Sequence, residues 1–152
     1  MREAMAASKD NYDKFIVDLR YNNGGYRGLL KKFLAENNSF LRALDTRILV
    51  GAYTFSSAIG AVDDLLYYIN KITIYGSETG GIVGGFTDLG SLKLDKSGNE
   101  VTYSKLETDH YRLKVRKKQK DIWRGIIPDV EVVPTIEEYF SGYDAVYEKA
   151  LE

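Results

Sequence analysis

Two adjacent glycines stand where a strand-like run gives way to a helical pattern. Gly24 and Gly25 follow the apolar run Lys14–Leu19 and precede a helical stretch that starts near Arg27. Glycines at such a junction let the backbone approach a ligand closely and leave N–H groups unpaired. Exposed N–H groups of this kind stabilise anions, including the oxyanion that forms when a peptide bond is hydrolysed. This turn is therefore the first candidate for chemistry in the sequence.

A serine stands at the next junction of the same kind. Ser56 follows the apolar run Arg47–Ala52 and opens the helical pattern Ser56–Asn70. In an open α/β fold this is the carboxyl edge of the sheet, where ligands bind, and the helix N-terminus there favours a developing anion. A structural interpretation stays open beside this one: Ser56 or Thr54 simply caps the helix, which contributes about 1 kcal/mol.

The first half of the chain predicts an α/β fold with a mostly parallel sheet. Apolar runs alternate with helical patterns, which indicates parallel strands joined by right-handed crossovers. The near-continuous apolar run before the glycines is typical of a sheet covered on both faces. The predicted elements are the end of a helix over residues 2–9, strands Lys14–Leu19, Arg47–Ala52 and Ile72–Tyr75, and helices from about Arg27 to Asn37-Asn38 and over Ser56–Asn70.

The second half of the chain is richer in β-hairpin and turn signals. Ser91–Leu94 and Val101–Leu106 alternate apolar and polar residues around Ser97-Gly98-Asn99, which predicts a hairpin that Tyr111–Val115 extends. Gly125–Val133 has the pattern of a further strand. Because proline cannot donate a backbone hydrogen bond, Pro128 predicts that this strand lies at the edge of a sheet or leaves one ladder position empty.

Capping residues mark two short helices at the end of the chain. Thr135 and Glu138 have the spacing of a capping box, which predicts a helix that starts there. Gly142 is expected to end that helix. Asp144 then predicts the start of a last helix, which runs to Leu151.

Composition excludes several classes of function. The chain has 152 residues, a formal net charge of −1 and no cysteine, which predicts one domain without disulfides or thiolate metal sites. The balanced charge argues against nucleic-acid binding. No apolar run reaches the roughly 18 residues that span a bilayer. The sequence has neither the spacing of a histidine and carboxylate metal site nor a phosphate-binding loop, so we expect no metal and no cofactor.

Four segments resemble, in order, the motifs of the C-terminal processing (tail-specific) serine peptidases. They are Asp-Leu-Arg-Tyr-Asn-Asn-Gly-Gly at Asp18–Gly25, Thr-Phe-Ser-Ser-Ala at Thr54–Ala58, Gly-Ser-Glu-Thr-Gly-Gly at Gly76–Gly81 and Gly-Ile-Ile-Pro-Asp at Gly125–Asp129. The resemblance covers residues 15–133 and implies a ClpP/crotonase-like α/β architecture with a β-hairpin-rich second half. Two branches of the family, the bacterial one and the tricorn-core-like one, are compatible with these motifs.

The resemblance assigns catalytic roles to particular residues. It implies that Ser56 is the nucleophile. It also implies an oxyanion hole made by the N–H of Ser57 and by the N–H of Gly24 or Gly25. Losing one donor of such a hole typically costs roughly 2.7–4 kcal/mol of transition-state stabilisation. A tight turn is the structural alternative for the two glycines.

Other matching residues are expected to serve the fold rather than the chemistry. Asp18 and Arg20 form an opposite-charge pair that is expected to hold the glycine turn in place. Pro128 and Asp129 are expected to be a signature of the fold. All of these residues belong to a single domain, which we expect to be the C-terminal portion of a longer catalytic domain.

The resemblance does not supply a general base. The bacterial branch uses a lysine in the loop after the third strand, but Ile82 stands at the matching position, and Ile59 replaces the acidic residue that usually follows the serine by three. The tricorn-like branch takes a histidine from upstream of the Asp-Leu-Arg strand, where this sequence has none. Within the chain, the candidates are His110, its one histidine, and Asp121, near the position of that branch's glutamate.

Two functions therefore stay open. The first is a serine endopeptidase that forms an acyl-enzyme at Ser56 and holds an extended peptide against a strand edge. The second is a non-catalytic relative that binds peptides or supports assembly, with Ser56 retained as a helix cap, and Ile59 and Ile82 favour it. Either function implies a peptide or protein partner, and an oligomer is compatible with both. Family members usually work in the cell envelope or are secreted, so the resemblance implies an extracytoplasmic location.

Overall fold

A parallel β-sheet with helices on both faces forms the centre of the molecule. The computed structural model describes residues 12–152, so the helix predicted over residues 2–9 lies outside the described part. The described elements are β1 (Lys14–Asp18), α1 (Gly28–Leu41), β2 (Asp45–Val50), α2 (Ser57–Tyr68), β3 (Ile72–Gly76), β4 (Phe86–Lys93), β5 (Glu100–Glu107), α3 (Tyr111–Lys114), β6 (Val130–Glu131), α4 (Ile136–Ser141) and α5 (Ala145–Leu151).

The four strands of the sheet run parallel in the order β1-β2-β3-β6. β1 and β2 pair along their whole length, from Lys14 beside Asp45 to Asp18 beside Leu49. Because both strands point the same way, the loops that follow them leave the same edge of the sheet. This register brings the glycine turn and the Ser56 turn together. The α/β prediction with a mainly parallel sheet is confirmed.

Alternate residues of each strand pack on opposite faces of the sheet, as the two-residue period of a strand requires. In β2, Ile48 and Val50 contact the helix side, whereas Leu49 faces the other side with Val146 and Ala150 of α5. The larger core lies between the sheet and helices α1 and α2. Its fully buried members include Leu34, Leu41, Ile48, Ile59, Val62, Leu65 and Ile74.

The predicted strand over Tyr111–Val115 is wrong, because this segment forms the short helix α3. Leu113 is its one buried residue, and the Leu113 N–H donates a 3.0 Å hydrogen bond to the carboxylate of Asp63 on α2. The Asp63 carboxylate on α2 therefore accepts the backbone N–H that a neighbouring strand would otherwise have accepted. Sequence alternation alone gives no sign of that carboxylate.

The predicted strand over Gly125–Val133 is mostly wrong, because only Val130–Glu131 forms a strand. Upstream of it, side chains satisfy the backbone: Thr79 Oγ1 accepts the N–H of Ile126 at 2.7 Å, and Gln119 Oε1 accepts that of Ile127 at 3.1 Å. The predicted edge position is confirmed, since β6 is the last strand of the sheet.

The hairpin around Ser97-Gly98-Asn99 is confirmed, and its strands β4 and β5 are longer than predicted. Helix α1 is also longer than predicted, because it continues beyond Asn37-Asn38 to Leu41. The Asn37 amide donates to the carbonyl of Phe33 one turn earlier, so its side chain does not compete with the helix.

The predicted caps at the end of the chain are confirmed. Thr135 and Glu138 make both bonds of a capping box, and Gly142 ends α4 in a left-handed conformation with φ 75°. Asp144 accepts the Tyr147 N–H at the start of α5. This helix covers the second face of the sheet, so its cap contributes to the central core.

Candidate active site

The loops after β1 and β2 are joined directly beside Ser56. The N–H of Phe55 donates a 3.1 Å hydrogen bond to the carbonyl of Asn22. Gly24 lies so close that a Cβ atom there would be 2.8 Å from Ser56 Cβ and 3.1 Å from its Oγ. Gly24 also has φ +115°, a backbone conformation that other residues rarely adopt. Glycine is therefore required at this position both by conformation and by the approach to the serine.

Ser56 has a strained backbone, with φ 54° and ψ −124° at the N-cap of α2. Besides Asp88, it is the one residue other than glycine with positive φ in the described range 12–152. Strain of this kind costs about 1–3 kcal/mol and is concentrated at functional sites. A serine held on a strained turn between a strand and a helix presents its hydroxyl away from the backbone.

The helix-cap interpretation of Ser56 and Thr54 is wrong. The Ser56 side chain makes no capping hydrogen bond to α2. Thr54 Oγ1 instead accepts the N–H of Gly51 at 3.0 Å and donates to the carbonyl of Leu19 at 2.8 Å. Thr54 therefore ties the ends of β1 and β2 together, and the Ser56 hydroxyl is left available for other contacts.

Two backbone N–H groups, that of Ser57 beside Ser56 and that of Gly25 in the glycine turn, have no hydrogen-bond partner among the residues that the structure describes. The N–H of Gly24 donates to Asn22 Oδ1 at 2.9 Å and is thus engaged. The hydrogen bonds described for residues 12–152 do not use the N–H of Gly25 or that of Ser57. Ser57 is the first residue of α2, where backbone N–H groups have no partner within the helix.

Ser56 and His110 line the same cleft, which has a volume of about 460 Å³. Its walls combine backbone at the start of α2 with the base of the β4–β5 hairpin. Four of its apolar side chains are partly exposed and therefore available to a ligand. The polar lining residues are Ser56, Ser57, His110, Arg27, Glu107 and Asp109. The four exposed apolar side chains are those of Phe55, Ile82, Phe86 and Leu106.

His110 is held in one orientation at the N-terminus of α3. The residue is 9% exposed, and Nδ1 lies 2.9 Å from the carbonyl oxygen of Val83. A carbonyl only accepts, so Nδ1 carries a proton, and in the neutral imidazole the free lone pair is then on Nε2. Nε2 lies 3.2 Å from the point where a Cβ atom of Gly60 would stand, one helical turn after Ser56. The imidazole thus faces the first turn of α2 as a proton acceptor.

Asp121 does not share this cleft. It accepts the N–H of Trp123 at 2.8 Å and lines a separate cavity with Glu78 and Arg124. Ile82, at the position of the lysine of the bacterial branch, does line the serine cleft, whereas Ile59 is 1% exposed and belongs to the core. Neither isoleucine can accept a proton. Of the two bases predicted from the sequence, His110 lines the cleft and Asp121 does not.

Asp18 and Arg20 pair with each other just before the glycine turn, whereas their role in holding that turn stays a prediction. The Arg20 guanidinium bonds to Asp18 and also to both carboxylate oxygens of Asp144, at 2.6 and 2.7 Å. Burial acts to raise the pKa of Asp18, but the Arg20 hydrogen bonds outweigh it and lower the pKa overall. The same guanidinium lowers the pKa of Asp144. The end of β1 is thereby tied to Asp144, the N-cap residue of α5.

Asp129 has the fold role that was expected of it. Its carboxylate accepts the N–H of Ile74 at 2.9 Å and pairs with Arg116 at 2.6 Å. The side chain therefore replaces a strand partner for β3 just before β6 begins.

Three residues beside the cleft were not predicted from the sequence: Arg27, Gly60 and Asp64. Arg27 Nη1 lies 3.4 Å from Asp64 Oδ2, and a Cβ atom at Gly60 would be 2.0 Å from that same nitrogen. Burial raises the pKa of Asp64, although Arg27 and Lys31 act to lower it. The signal in the sequence was an Asp63-Asp64 pair within an otherwise apolar helix face.

Comparison with known proteins gives a likeness in fold. No family model and no curated protein matches the chain. A candidate peptidase from Parabacteroides merdae has a TM-score of 0.70 at 19% identity, over 99% of this chain and 54% of that one. A candidate S41 protease from Bacteroides fragilis has a TM-score of 0.54 at 15% identity, over 92% and 42%. The tricorn protease has a TM-score of 0.55 at 19% identity, over 92% and 14%.

The chain therefore shares the mixed α/β fold, with its mainly parallel sheet, of these three structures. The chain spans about half the length of the first of these structures and less of the other two. The ClpP/crotonase detail and the branch of the family stay predictions. No helix in the part of the chain that the structure describes is long and apolar enough to cross a membrane.

Proposed function

We propose that this chain carries the nucleophile of a serine-type peptidase, with Ser56 as the attacking residue. The observation that carries the proposal is the strained, uncapped backbone of Ser56 at the mouth of a cleft that it shares with His110. The strained backbone of Ser56 lowers stability, and no capping hydrogen bond of its side chain offsets this. Such strain is typical of a serine nucleophile that is held in a fixed orientation on a strand-to-helix turn.

The proposed reaction uses His110 as the base. Ser56 Oγ attacks the carbonyl carbon of a peptide bond while its proton passes to His110 Nε2. The N–H groups of Ser57 and Gly25 stabilise the oxyanion. Gly24 contributes by its closeness to Ser56, because its own N–H is engaged with Asn22. The leaving amine takes the proton from Nε2, and water then hydrolyses the acyl-enzyme by the same proton path.

A gap between the two side chains must close during this reaction. No hydrogen bond joins Ser56 to His110 among those described for residues 12–152. Catalytic hydrogen bonds are often long without substrate and shorten when it binds. The non-catalytic alternative is favoured by this gap and by Ile82 at the position of the lysine, so the experiment must separate the two functions.

Peptide binding is proposed along the hairpin. The start of β4 and the end of β5 line the cleft. In the described sheets each of these two strands pairs only with the other, so its second edge has no partner strand. An extended peptide could therefore add to a free strand edge, which is a common way to hold peptides. A longer catalytic domain and an extracytoplasmic location belong to the same proposal and rest on the motif resemblance.

Covalent labelling with a fluorophosphonate probe tests the proposal. The Ser56 oxygen would displace fluoride from phosphorus only if it is activated as a nucleophile. We expect the 152-residue chain to be labelled, the Ser56→Ala variant to lose labelling, and His110→Asn to be labelled far more slowly. Ser57→Ala is the matched control, since it keeps the backbone N–H. Equal labelling of the Ser56→Ala variant, or none of the folded parent chain, would favour the non-catalytic function.

A further inference from the structure

One short segment, residues 80–83, contacts both members of the proposed catalytic pair. The N–H of Gly81 donates a 3.0 Å hydrogen bond to the carbonyl of Thr54 in the serine turn. The carbonyl of Val83 accepts the Nδ1–H of His110 at 2.9 Å. These two bonds are only two residues apart in the chain. A displacement of this bridging segment is therefore passed on both to the serine turn and to the imidazole.

The bridging segment also packs directly on the backbone of the serine turn. A Cβ atom at Gly80 would lie 2.2 Å from the carbonyl oxygen of Ala52, and one at Gly81 would lie 3.0 Å from Cα of Phe55. Phe55 is the residue before Ser56. Because no side chain separates the two backbones, no change of rotamer can absorb a shift between them.

The hydroxyl of Thr79 fixes the start of the bridging segment. It donates to the carbonyl of Gly81 at 2.7 Å and accepts the N–H of Ile126 at 2.7 Å. Thr79 is 5% exposed, and Ile126 belongs to the central core. A buried hydroxyl that donates to one backbone group and accepts from another is held in a single orientation. The bridging segment is thereby attached to the core.

We propose that Thr79 is a positioning residue for Ser56 and His110, acting through the bridging segment. This inference rests on the proposed function and adds to it the group that sets nucleophile and base relative to each other. Thr79 lies outside the lining of the cleft, so it acts only through its neighbours. The hydrogen bond at one ring nitrogen of a histidine decides which nitrogen carries the proton. By fixing the carbonyl of Val83, Thr79 keeps Nε2 free to accept the serine proton.

Substitution of the hydroxyl tests the inference through the rate of fluorophosphonate labelling. Thr79→Val leaves a buried carbonyl and a buried N–H without partners, so the bridging segment must move to satisfy them. We expect labelling of Ser56 to slow by about tenfold or more, because a displacement of the order of 1 Å can cost about a hundredfold. Thr79→Ser keeps the hydroxyl and should label near the parent rate.

Thr46→Val is the matched control for Thr79→Val. Thr46 is equally buried, but its hydroxyl has no hydrogen-bond partner among the residues that the structure describes. This variant should therefore label at the parent rate. If Thr79→Val does not fold, Gly81→Ala serves in its place, since a Cβ atom there pushes the same segment away from Phe55 while the hydroxyl stays intact. It should slow labelling likewise.

Nitrogen-15 NMR of His110 gives a readout that a loss of stability alone would not change. His110 is the one histidine of the chain, so its ring signals are identified directly. In the neutral ring, a proton fixed on Nδ1 gives two well-separated nitrogen signals, whereas exchange between tautomers brings them together. We expect separated signals in the parent, Thr79→Ser and Thr46→Val chains. The signals should converge in Thr79→Val or Gly81→Ala.

The inference and the proposed function fail in different ways. Separated His110 signals and the parent labelling rate in a folded Thr79→Val variant would remove the role of Thr79 and leave the peptidase. Slowing of Thr46→Val to the same extent would also overturn that role, because any buried threonine would then have this effect. A folded parent chain that is not labelled, with His110 signals that converge only in Thr79→Val, would remove the peptidase and leave Thr79 as the residue that orients the imidazole.

Discussion

Gly24 lies against Ser56 so closely that any side chain there must push the serine away. We expect Gly24→Ala to slow fluorophosphonate labelling by about a hundredfold, because a displacement of the order of 1 Å can cost that much. Gly98→Ala is the control: Gly98 has φ +72° and no atom within 4 Å of its Cβ position. It should lose stability through backbone strain and keep its labelling rate. Unchanged labelling of a folded Gly24→Ala variant would show that Ser56 is not held by this contact.

Arg20 makes the stability of the glycine turn dependent on pH. It lowers the pKa of both Asp18 and Asp144, so its contribution is complete above the ordinary pKa of aspartate and is lost as pH falls through the lowered values. Both carboxylates are partly exposed, which limits the loss in Arg20→Met to about 1–2 kcal/mol at pH 7. Urea unfolding at pH 7 and at pH 3 should show a smaller difference between variant and parent at pH 3.

The control for this pH dependence is Arg124→Met, which removes the partner of Glu78 on an exposed surface. Its stability should change less than that of Arg20→Met at pH 7. An Arg20→Met variant that loses as much stability at pH 3 as at pH 7 would show that its guanidinium acts through packing rather than through charge.

Helix α3 depends on α2 for its place, and His110 depends on α3. Asp63→Leu removes the acceptor of the Leu113 N–H and leaves a buried donor unpaired, which costs about 1–3 kcal/mol. We expect fluorophosphonate labelling to slow as well, since His110 at the N-cap of α3 loses its support. Asp63→Asn retains an oxygen in the same place and should keep both properties. If Asp63→Leu lost stability but labelled at the parent rate, His110 would not be the base.

The elements that follow from local pattern were predictable, and those that follow from long-range bonds were not. β1, β2 and β3 are short apolar runs in a sheet covered on both faces, so their sequences alone indicate them. The segment before β6 instead bonds to the side chains of Thr79 and Gln119, which no periodicity reveals. In the site, the serine and the glycines lie at strand ends that the sequence marks. Arg27 and Gly60 meet only because α1 packs on α2.

At the scale of the whole molecule, the hairpin and the sheet differ in how they are held. β2 lies between two strands and between two cores, whereas every residue of β4 and β5 except Gly90 is exposed. A two-stranded hairpin is only marginally stable by itself. The base of this one is tied by two bonds from Thr108 to the carbonyl of Gly85. Amide hydrogens of β2 should therefore exchange slowest, and those of the hairpin tip fastest.

Shortening the hairpin separates its role in stability from its role in binding. Leu89 and Ser104 stand opposite each other, so an Asn-Gly turn can replace residues 90–103 and leave the tied base intact. We expect the free energy of unfolding to change by no more than about 1 kcal/mol. Labelling by the small fluorophosphonate probe should be unchanged, because Phe86 and Leu106 still line the cleft.

Unlike the labelling rate, the affinity of the shortened chain for peptides is expected to fall. If an extended peptide pairs with a free edge of β4 or β5, removal of that edge takes away backbone hydrogen bonds, each with a net value of about 0.5–1.5 kcal/mol. Two such bonds would lower the affinity of the Ser56→Ala chain for a labelled extended peptide by about tenfold or more. Unchanged affinity would place the peptide elsewhere along the cleft. The edge of β6, the end strand of the sheet, would then be the next one to test.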